Sequence, residues 1–221
     1  AQAVADTQRL ESTRTRALLV LHDVTNPTEE TLDTLWQVAD QDANSGLQSM
    51  ALLALGTLAR EDNSVLNTLD QRLQAADDGD AVAILETLGN VDDPEVVQVA
   101  NNYLYAESEQ VRSAAVYALT SAQSSHADST LKQVFTRDDS NLVQLAVLEV
   151  LKMRPKLDST NEWLVSQLDR LQEQTLLGGV IDNLIRNRDE FPQNELALLD
   201  FLENPNNLDF SEQIYRHIQP R

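Results

Sequence analysis

Few residues in this chain have the types and spacing that chemistry requires. The acidic turn Asp77-Asp78-Gly79-Asp80 offers carboxylates of the kind that bind calcium. It lacks the twelve-residue spacing and the closing glutamate of an EF-hand loop. The histidines His22, His126 and His217 are too far apart in sequence to predict a metal site. We therefore predict no metal and no cofactor, and we interpret the acidic turn as helix capping.

The sequence also lacks a catalytic motif. Cysteine is absent, so the chain has neither a thiol nucleophile nor a disulfide. No Ser-His-Asp arrangement has motif support. The pair Gly178-Gly179 lacks the pattern of a phosphate-binding loop and falls within a predicted helix, so we attribute it to close helix packing. The sequence therefore predicts no catalytic residues and a protein that is not an enzyme.

The charge of the chain limits its partners. The sequence has 36 acidic and 16 basic residues, which gives a net charge of −20. Nucleic acids and anionic membranes need a positive protein surface, so we expect no nucleic-acid partner. A solvated acidic surface is one interpretation of this charge, and a docking face for a basic partner is the other. The longest uncharged apolar runs, such as Met50–Leu55, are too short for a transmembrane segment.

Apolar residues recur at the interval of a helical hairpin. Six leucines follow one another at intervals of 31 to 34 residues, each with another apolar residue four positions before it. Because four residues make about one helical turn, each pair marks a buried stripe. The pairs are Ala17/Leu21, Ala51/Leu55, Ile84/Leu88, Ala115/Leu119, Val147/Leu151 and Val180/Leu184. This period predicts an all-α chain, an α-solenoid in which residues 1–221 form a single domain of about six to seven hairpins.

The hairpins place their side chains in rows. The first helices carry the inward positions Leu32, Leu66, Val97, Leu131, Leu164 and Leu196. On the second helices, the position two residues after the start of each apolar pair is turned about 200° from it and should face away from the first helices. That row is Leu19, Leu53, Glu86, Tyr117, Glu149 and Asp182. We predict that it lines the concave surface and contacts a partner, and the alternative is a mixed solvent-exposed face.

Two segments resemble repeats of a known type. SEQVRSAAVYAL (Ser108–Leu119) resembles the second helix of a HEAT-type repeat, and LGNVDDPEVV (Leu88–Val97) resembles the link to the next one. The resemblance implies a right-handed superhelix of HEAT-like helical hairpins.

A narrower resemblance covers about residues 45–190. ALLALGTLAR, LETLGNVDDPEVV, VRSAAVYAL and LKQVFTRDDSNLVQLAVLEVLKMRP occur in the order and spacing of the helical domain of large lipid transfer proteins, the family of vitellogenin and microsomal triglyceride transfer protein. In that family a helical array wraps a lipid cavity and contacts partner subunits, so the resemblance implies lipid as a ligand. It implies no catalytic residues.

These observations favour a non-catalytic scaffold that binds a protein partner, basic in character, through its concave surface. The alternative is the helical module of a lipid transfer or lipoprotein-type carrier. The start Ala1-Gln2-Ala3 without Met indicates a processed chain or a piece cut from a longer protein. From this start we expect a periplasmic or secreted location.

Overall fold

A computed structural model describes residues 11–22, 27–41, 46–60, 62–91, 93–122 and 125–218. Within these ranges the chain forms thirteen α-helices and one short 3₁₀ helix, and it has no strand. The all-α prediction is confirmed, and so is the fold class of an α-solenoid built from helical hairpins.

Contacts divide the chain into two compact units, residues 1–127 and 128–221. The described helices of the first unit are α1 (Glu11–His22), α2 (Glu29–Gln41), α3 (Gly46–Leu58), α4 (Asn63–Ala75), α5 (Asp78–Leu88), α6 (Pro94–Asn101) and α7 (Glu109–Ala118). The boundary falls within α8 (Ser125–Arg137), which is followed by α9 (Asn141–Met153), α10 (Asp158–Gln167), α11 (Gln174–Arg186), α12 (Gln193–Leu202), the 3₁₀ helix (Pro205–Phe210) and α13 (Ser211–Tyr215). A single domain over 1–221 and the right-handed superhelix stay predictions.

The second helices of successive hairpins lie side by side within each unit. In the first unit α3 contacts α1 and α5, and α5 contacts α7; in the second, α9 contacts α11. Five of the six predicted apolar pairs are buried, with no side chain more than 6% exposed: Ala51/Leu55, Ile84/Leu88, Ala115/Leu119, Val147/Leu151 and Val180/Leu184. In the remaining pair Ala17 is half-buried, and the side chain of Leu21 lies outside the described residues. The predicted period is therefore the period of the core.

The first helices pack against the second helices. α2 packs on α3, α4 on α5 and α6 on α7, and in the second unit α10 and α12 both pack on α11. Of the predicted inward row, Leu66, Leu131 and Leu164 are buried, and Leu32 and Val97 are half-buried. The prediction for Leu196 is wrong, because this side chain is 66% exposed and Leu198 is fully buried instead. Two residues turn a helix by about 200°, so α12 buries the face opposite to the predicted one.

Hydrogen bonds spaced by one repeat join neighbouring hairpins. In the first unit, the Ser121 hydroxyl donates to the Gly89 carbonyl at 2.6 Å, across 32 residues of sequence. In the second, the buried amides of Asn161 and Asn194 donate to each other's side-chain oxygens at 2.8 and 2.9 Å, across 33 residues. Buried polar groups need such partners. The period seen in the apolar residues is thus repeated in the polar ones.

A buried ion pair adds to these contacts in the second unit. Arg154 Nε donates to Asp128 Oδ1 at 2.6 Å, and Thr160 Oγ1 donates to the other carboxylate oxygen at 3.2 Å. Both charged side chains are only 4% exposed. Because a charge buried this deeply is stable only when it is paired, loss of either partner should be costly.

Two glycines allow the second helices of the first unit to approach closely. A Cβ atom on Gly89 would lie 2.6 Å from the carbonyl oxygen of Tyr117 in α7. A Cβ atom on Gly56 would lie 2.6 Å from the Thr87 methyl in α5 and 2.9 Å from its carbonyl oxygen. Gly89 has a right-handed helical conformation, with φ of −59° and ψ of −18°, so packing and not backbone geometry requires glycine here.

In the second unit only one glycine of the predicted pair serves the same purpose. A Cβ atom on Gly179 would lie 2.8 Å from Leu148 Cδ1 in α9, whereas one on Gly178 would meet nothing within 4 Å. Close packing, predicted for both glycines, therefore holds for Gly179 alone.

Candidate partner-binding surface

Four of the predicted contact residues lie on successive second helices of the first unit. Leu19 on α1 is 55% exposed and Leu53 on α3 is 41% exposed. Glu86 on α5 is exposed, and Tyr117 on α7 is half-buried. Because α1, α3, α5 and α7 contact one another in this order, these residues form a row across four helices. We call these four residues the unit-1 strip.

The buried pairs determine the direction of the strip. In α3, Ala51 and Leu55 are fully buried, and Leu53 lies between them on the opposite side of the helix. The same relation holds in α7, where Ala115 is fully buried and Tyr117 is not. The core therefore orients these side chains away from the packed layer. Their role in binding, and the assignment of the strip to a concave surface, stay predictions.

The two predicted residues of the second unit are held by a shared lysine. Lys152 Nζ lies 2.7 Å from Glu149 Oε1 and 3.5 Å from Asp182 Oδ2. Gln213 Nε2 donates to the other oxygen of Asp182 at 2.6 Å. Both carboxylates remain about half exposed, at 50% and 52%. One cation thus offsets part of the charge of two acids, a pairing that the sequence row did not predict. The role of both acids in partner binding also stays a prediction.

The acidic turn serves as a helix cap. Asp77 is the N-cap of α5, and its Oδ1 accepts a hydrogen bond from the backbone N–H of Asp80 at 3.0 Å. Asp93 caps α6 in the same way, accepting from the Glu95 N–H at 2.7 Å, with Pro94 at the first helical position. No group of three potential metal ligands comes together within the described part of the chain. Among the described helices, none is long and apolar enough to span a membrane.

The pKa shifts within the described residues have structural causes. A hydrogen bond from the Leu176 backbone N–H lowers the pKa of Glu173, the N-cap of α11. Lys156 lowers the pKa of Glu190 by donating to its carboxylate at 2.6 Å. These carboxylates stay ionised to stabilise helix ends and turns. None of the shifts favours a carboxylate that is protonated at neutral pH, as a general acid would be.

A pocket that the sequence analysis did not identify lies among α2, α3, α4 and α5 of the first unit. Its volume is about 260 Å³. Its apolar lining includes Leu52 and Ile84, each 5% exposed, and its charged lining consists of Asp40, Arg72 and Asp80. The lining residues come from two consecutive hairpins, so only the packing of one hairpin on the next brings them together.

The stacked hairpins place the protein in the class of α-solenoids, in which each repeat packs on its neighbours. Residues 67–152, from within α4 to near the end of α9, match the family of HEAT repeats. The HEAT-type resemblance is thereby supported for this part of the chain.

Comparison with whole proteins identifies less similarity than comparison with the repeat family. No curated protein matches the chain. The chain is similar to a solved structure of human deoxyhypusine hydroxylase in complex with glycerol, with 17% sequence identity and a TM-score of 0.44. The alignment covers 98% of this chain and 94% of that chain.

Two sequence-based predictions change as a result. The prediction that the chain is not an enzyme is corrected, because the similar structure is that of an enzyme. We do not retain that prediction. The narrower resemblance to lipid transfer proteins gains no support, since the matches are to HEAT repeats and to the hydroxylase.

Proposed function

We propose that the chain binds a protein partner on the unit-1 strip and that the partner is basic. The observation that carries this proposal is the strip itself: Leu19 and Leu53 expose apolar side chains on the helices next to those that carry Glu86 and Tyr117. Apolar and aromatic side chains beside a charged rim are the usual composition of a protein interface.

Tyr117 is the anchor in this proposal. Tyrosine is enriched among residues that dominate interface energies, and such residues lie near the centre of the interface, where the partner excludes water. Tyr117 is half-buried on α7, within the stretch that matches HEAT repeats. The part of its side chain that remains accessible is available for a partner to cover.

The charge of the chain supports a basic partner. With a net charge of −20, the protein attracts cationic surfaces at long range and repels anionic ones. Glu86 lies within the strip and should govern the rate of association and its dependence on salt more than the final affinity. Glu149 and Asp182 should contribute less, because Lys152 already pairs with both.

The test compares two variants of the chain as bait in an affinity capture. Tyr117→Ala removes the anchor, and Gln71→Ala changes an exposed residue on α4 outside the strip. A protein captured by the wild type and identified by mass spectrometry is then purified, and its Kd is measured for each bait. We expect Tyr117→Ala to weaken binding by about 30-fold, corresponding to about 2 kcal/mol, and Gln71→Ala to change it by less than about twofold. Equal affinities for the two variants would contradict the proposal.

The test must also distinguish a protein partner from a bound lipid. The exposed side chains of Leu19 and Leu53 also suit an apolar ligand. Native mass spectrometry of the purified chain would detect a retained lipid. A bound lipid that is lost on Leu53→Ser but kept on Tyr117→Ala would show that the ligand of the strip is a lipid and not a protein.

A further inference from the structure

The pocket of the first unit combines an apolar surface with charged groups. Leu52 and Ile84 are buried and apolar, and Asp40, Arg72 and Asp80 supply the charges. The volume of about 260 Å³ is slightly below the roughly 300–1,000 Å³ of typical small-molecule sites. The pocket therefore suits one extended side chain better than a larger ligand.

Asp80 is an exposed residue, and one oxygen of its carboxylate is open to a ligand within the part of the chain that the structure describes. Its Oδ1 accepts a hydrogen bond from Gln48 Nε2 at 3.1 Å, and its Oδ2 takes no hydrogen bond from any residue that the structure describes. Gln48 is only 9% exposed, so a buried donor fixes the carboxylate at the pocket. A fixed carboxylate beside apolar surface is complementary to a cationic group on an aliphatic stem.

Arg72 shows that this region already accommodates a basic side chain. Its guanidinium forms an ion pair with Asp40, with Nη2 at 3.2 Å from Oδ2, and its Cζ lies 4.3 Å from the centre of the Trp36 ring. After this pair is counted, Asp80 leaves the pocket with an excess negative charge. Asp77 and Asp78 add to that charge at the start of the same helix.

We propose that this pocket binds one lysine or arginine side chain of a protein partner. The aliphatic stem lies on Leu52 and Ile84, and the cationic head binds the free oxygen of Asp80. The inference rests on the proposed function, because it specifies the chemistry of the partner. It places that contact outside the unit-1 strip, at the ends of α3 and α5 that adjoin the hairpin turns.

A titration of the ¹⁵N-labelled chain with short peptides tests the pocket. The probe is the tripeptide acetyl-Ala-Lys-Ala-amide, and its matched control has norleucine in place of lysine, which keeps the stem and removes the charge. The Asp80→Asn variant removes the carboxylate charge but keeps an oxygen that can accept from Gln48. Asp78→Asn removes a charge from the same first turn of α5, at a residue that does not line the pocket.

We expect the lysine peptide to shift the amide signals of Ala75, Ala76 and Gly79 in a saturable manner. Asp80→Asn should raise the Kd at least about fivefold, and Asp78→Asn should raise it less than about twofold. Equal binding of the norleucine peptide would overturn the proposal, because the pocket would then select only apolar surface. Equal effects of the two substitutions would also overturn it, because the attraction would then come from the overall charge. So would the absence of saturable shifts.

Failure here differs from failure of the proposed function. The peptide titration uses the purified chain alone and does not depend on Tyr117. A captured partner that is lost on Asp80→Asn but kept on Tyr117→Ala would leave the pocket standing and refute the strip.

Discussion

Substitution of Gly89 tests how closely the second helices of the first unit pack. Gly89 follows α5, and the Cβ of an alanine there would lie 2.6 Å from the carbonyl oxygen of Tyr117 in α7. Ordinary contacts of a Cβ atom begin at 3.4 Å, so one backbone must move by about 0.8 Å. The obstacle is a main-chain atom, and no side-chain rotation can relieve it.

The cost can be worked from this geometry. Extra atoms in a packed core usually destabilise a protein by about 1–3 kcal/mol, and a backbone obstacle belongs near the upper end of that range. Alanine also has the better helix propensity, which offsets up to about 1 kcal/mol. The backbone conformation of Gly89 is one that alanine adopts without strain, so no other penalty enters. We expect a net loss of about 2–3 kcal/mol from Gly89→Ala.

Two glycines in α11 provide matched controls. Gly178→Ala places its Cβ where nothing lies within 4 Å, so the helix propensity should stabilise the protein by about 0.5–1 kcal/mol. Gly179→Ala brings its Cβ to 2.8 Å from Leu148 Cδ1, a side-chain atom that can rotate away, so its effect should lie between the other two. The free energies of unfolding are measured by urea titration, and the expected order of stability is Gly178→Ala, then Gly179→Ala, then Gly89→Ala.

The reasoning is refuted if Gly89→Ala is as stable as Gly178→Ala. That result would mean that α5 and α7 do not approach each other as closely as the structure has them. A crystal structure of the Gly89→Ala variant with α7 displaced by less than about 0.3 Å would lead to the same conclusion, since overpacking should move the backbone.

Three further predictions concern stability. Leu119→Ala should lower the free energy of unfolding, measured by urea titration, by about 2–5 kcal/mol because it leaves a cavity in the core. Leu196→Ala should lower it by less than about 0.5 kcal/mol because that side chain is 66% exposed. Equal losses would contradict the assignment of the buried face of α12. Arg154→Met should cost about 3–5 kcal/mol because it leaves Asp128 buried and unpaired, and adding Asp128→Asn should recover part of the loss if that reason holds. A backbone hydrogen bond holds the pKa of Glu173 below its ordinary 4.5, so its contribution to stability is present at neutral pH and is lost as the pH falls through the folded-state pKa. The stability advantage of the wild type over Glu173→Gln should be complete at neutral pH and should shrink progressively as the pH falls below 4.5. A difference that does not change with pH would contradict the assignment.

The repeat was predictable because one helical turn separates the members of each apolar pair. Ile84 and Leu88 are four residues apart, and burial of one requires burial of the other. Such local patterns predict a core even without knowledge of the neighbouring helix. The prediction failed at Leu196 because α12 offers leucines on both faces. Leu196 and Leu198 lie about 200° apart on the helix, so the position of a leucine in the repeat does not decide which face is buried.

The contacts between repeats could not be read from the sequence in the same way. The pocket needs Asp40 and Asp80 on consecutive hairpins, and Lys152 lies between two acids of which one is thirty residues away. Such pairs depend on the lateral offset between helices, which the period of the sequence does not specify. The same holds for Gly89, because a carbonyl group of the next hairpin leaves no room for a side chain there.

A site-specific crosslink tests most directly whether a partner binds the unit-1 strip. The chain has no cysteine, so Leu53→Cys and Gln98→Cys each introduce a single thiol that a photoreactive maleimide can label. Both residues are exposed; Leu53 belongs to the strip, whereas Gln98 lies on α6, outside both the strip and the pocket. With the captured partner present, we expect a crosslinked complex from the label at position 53 and none from the label at position 98. A crosslink at position 98 alone, or at both positions with equal yield, would contradict binding through the strip.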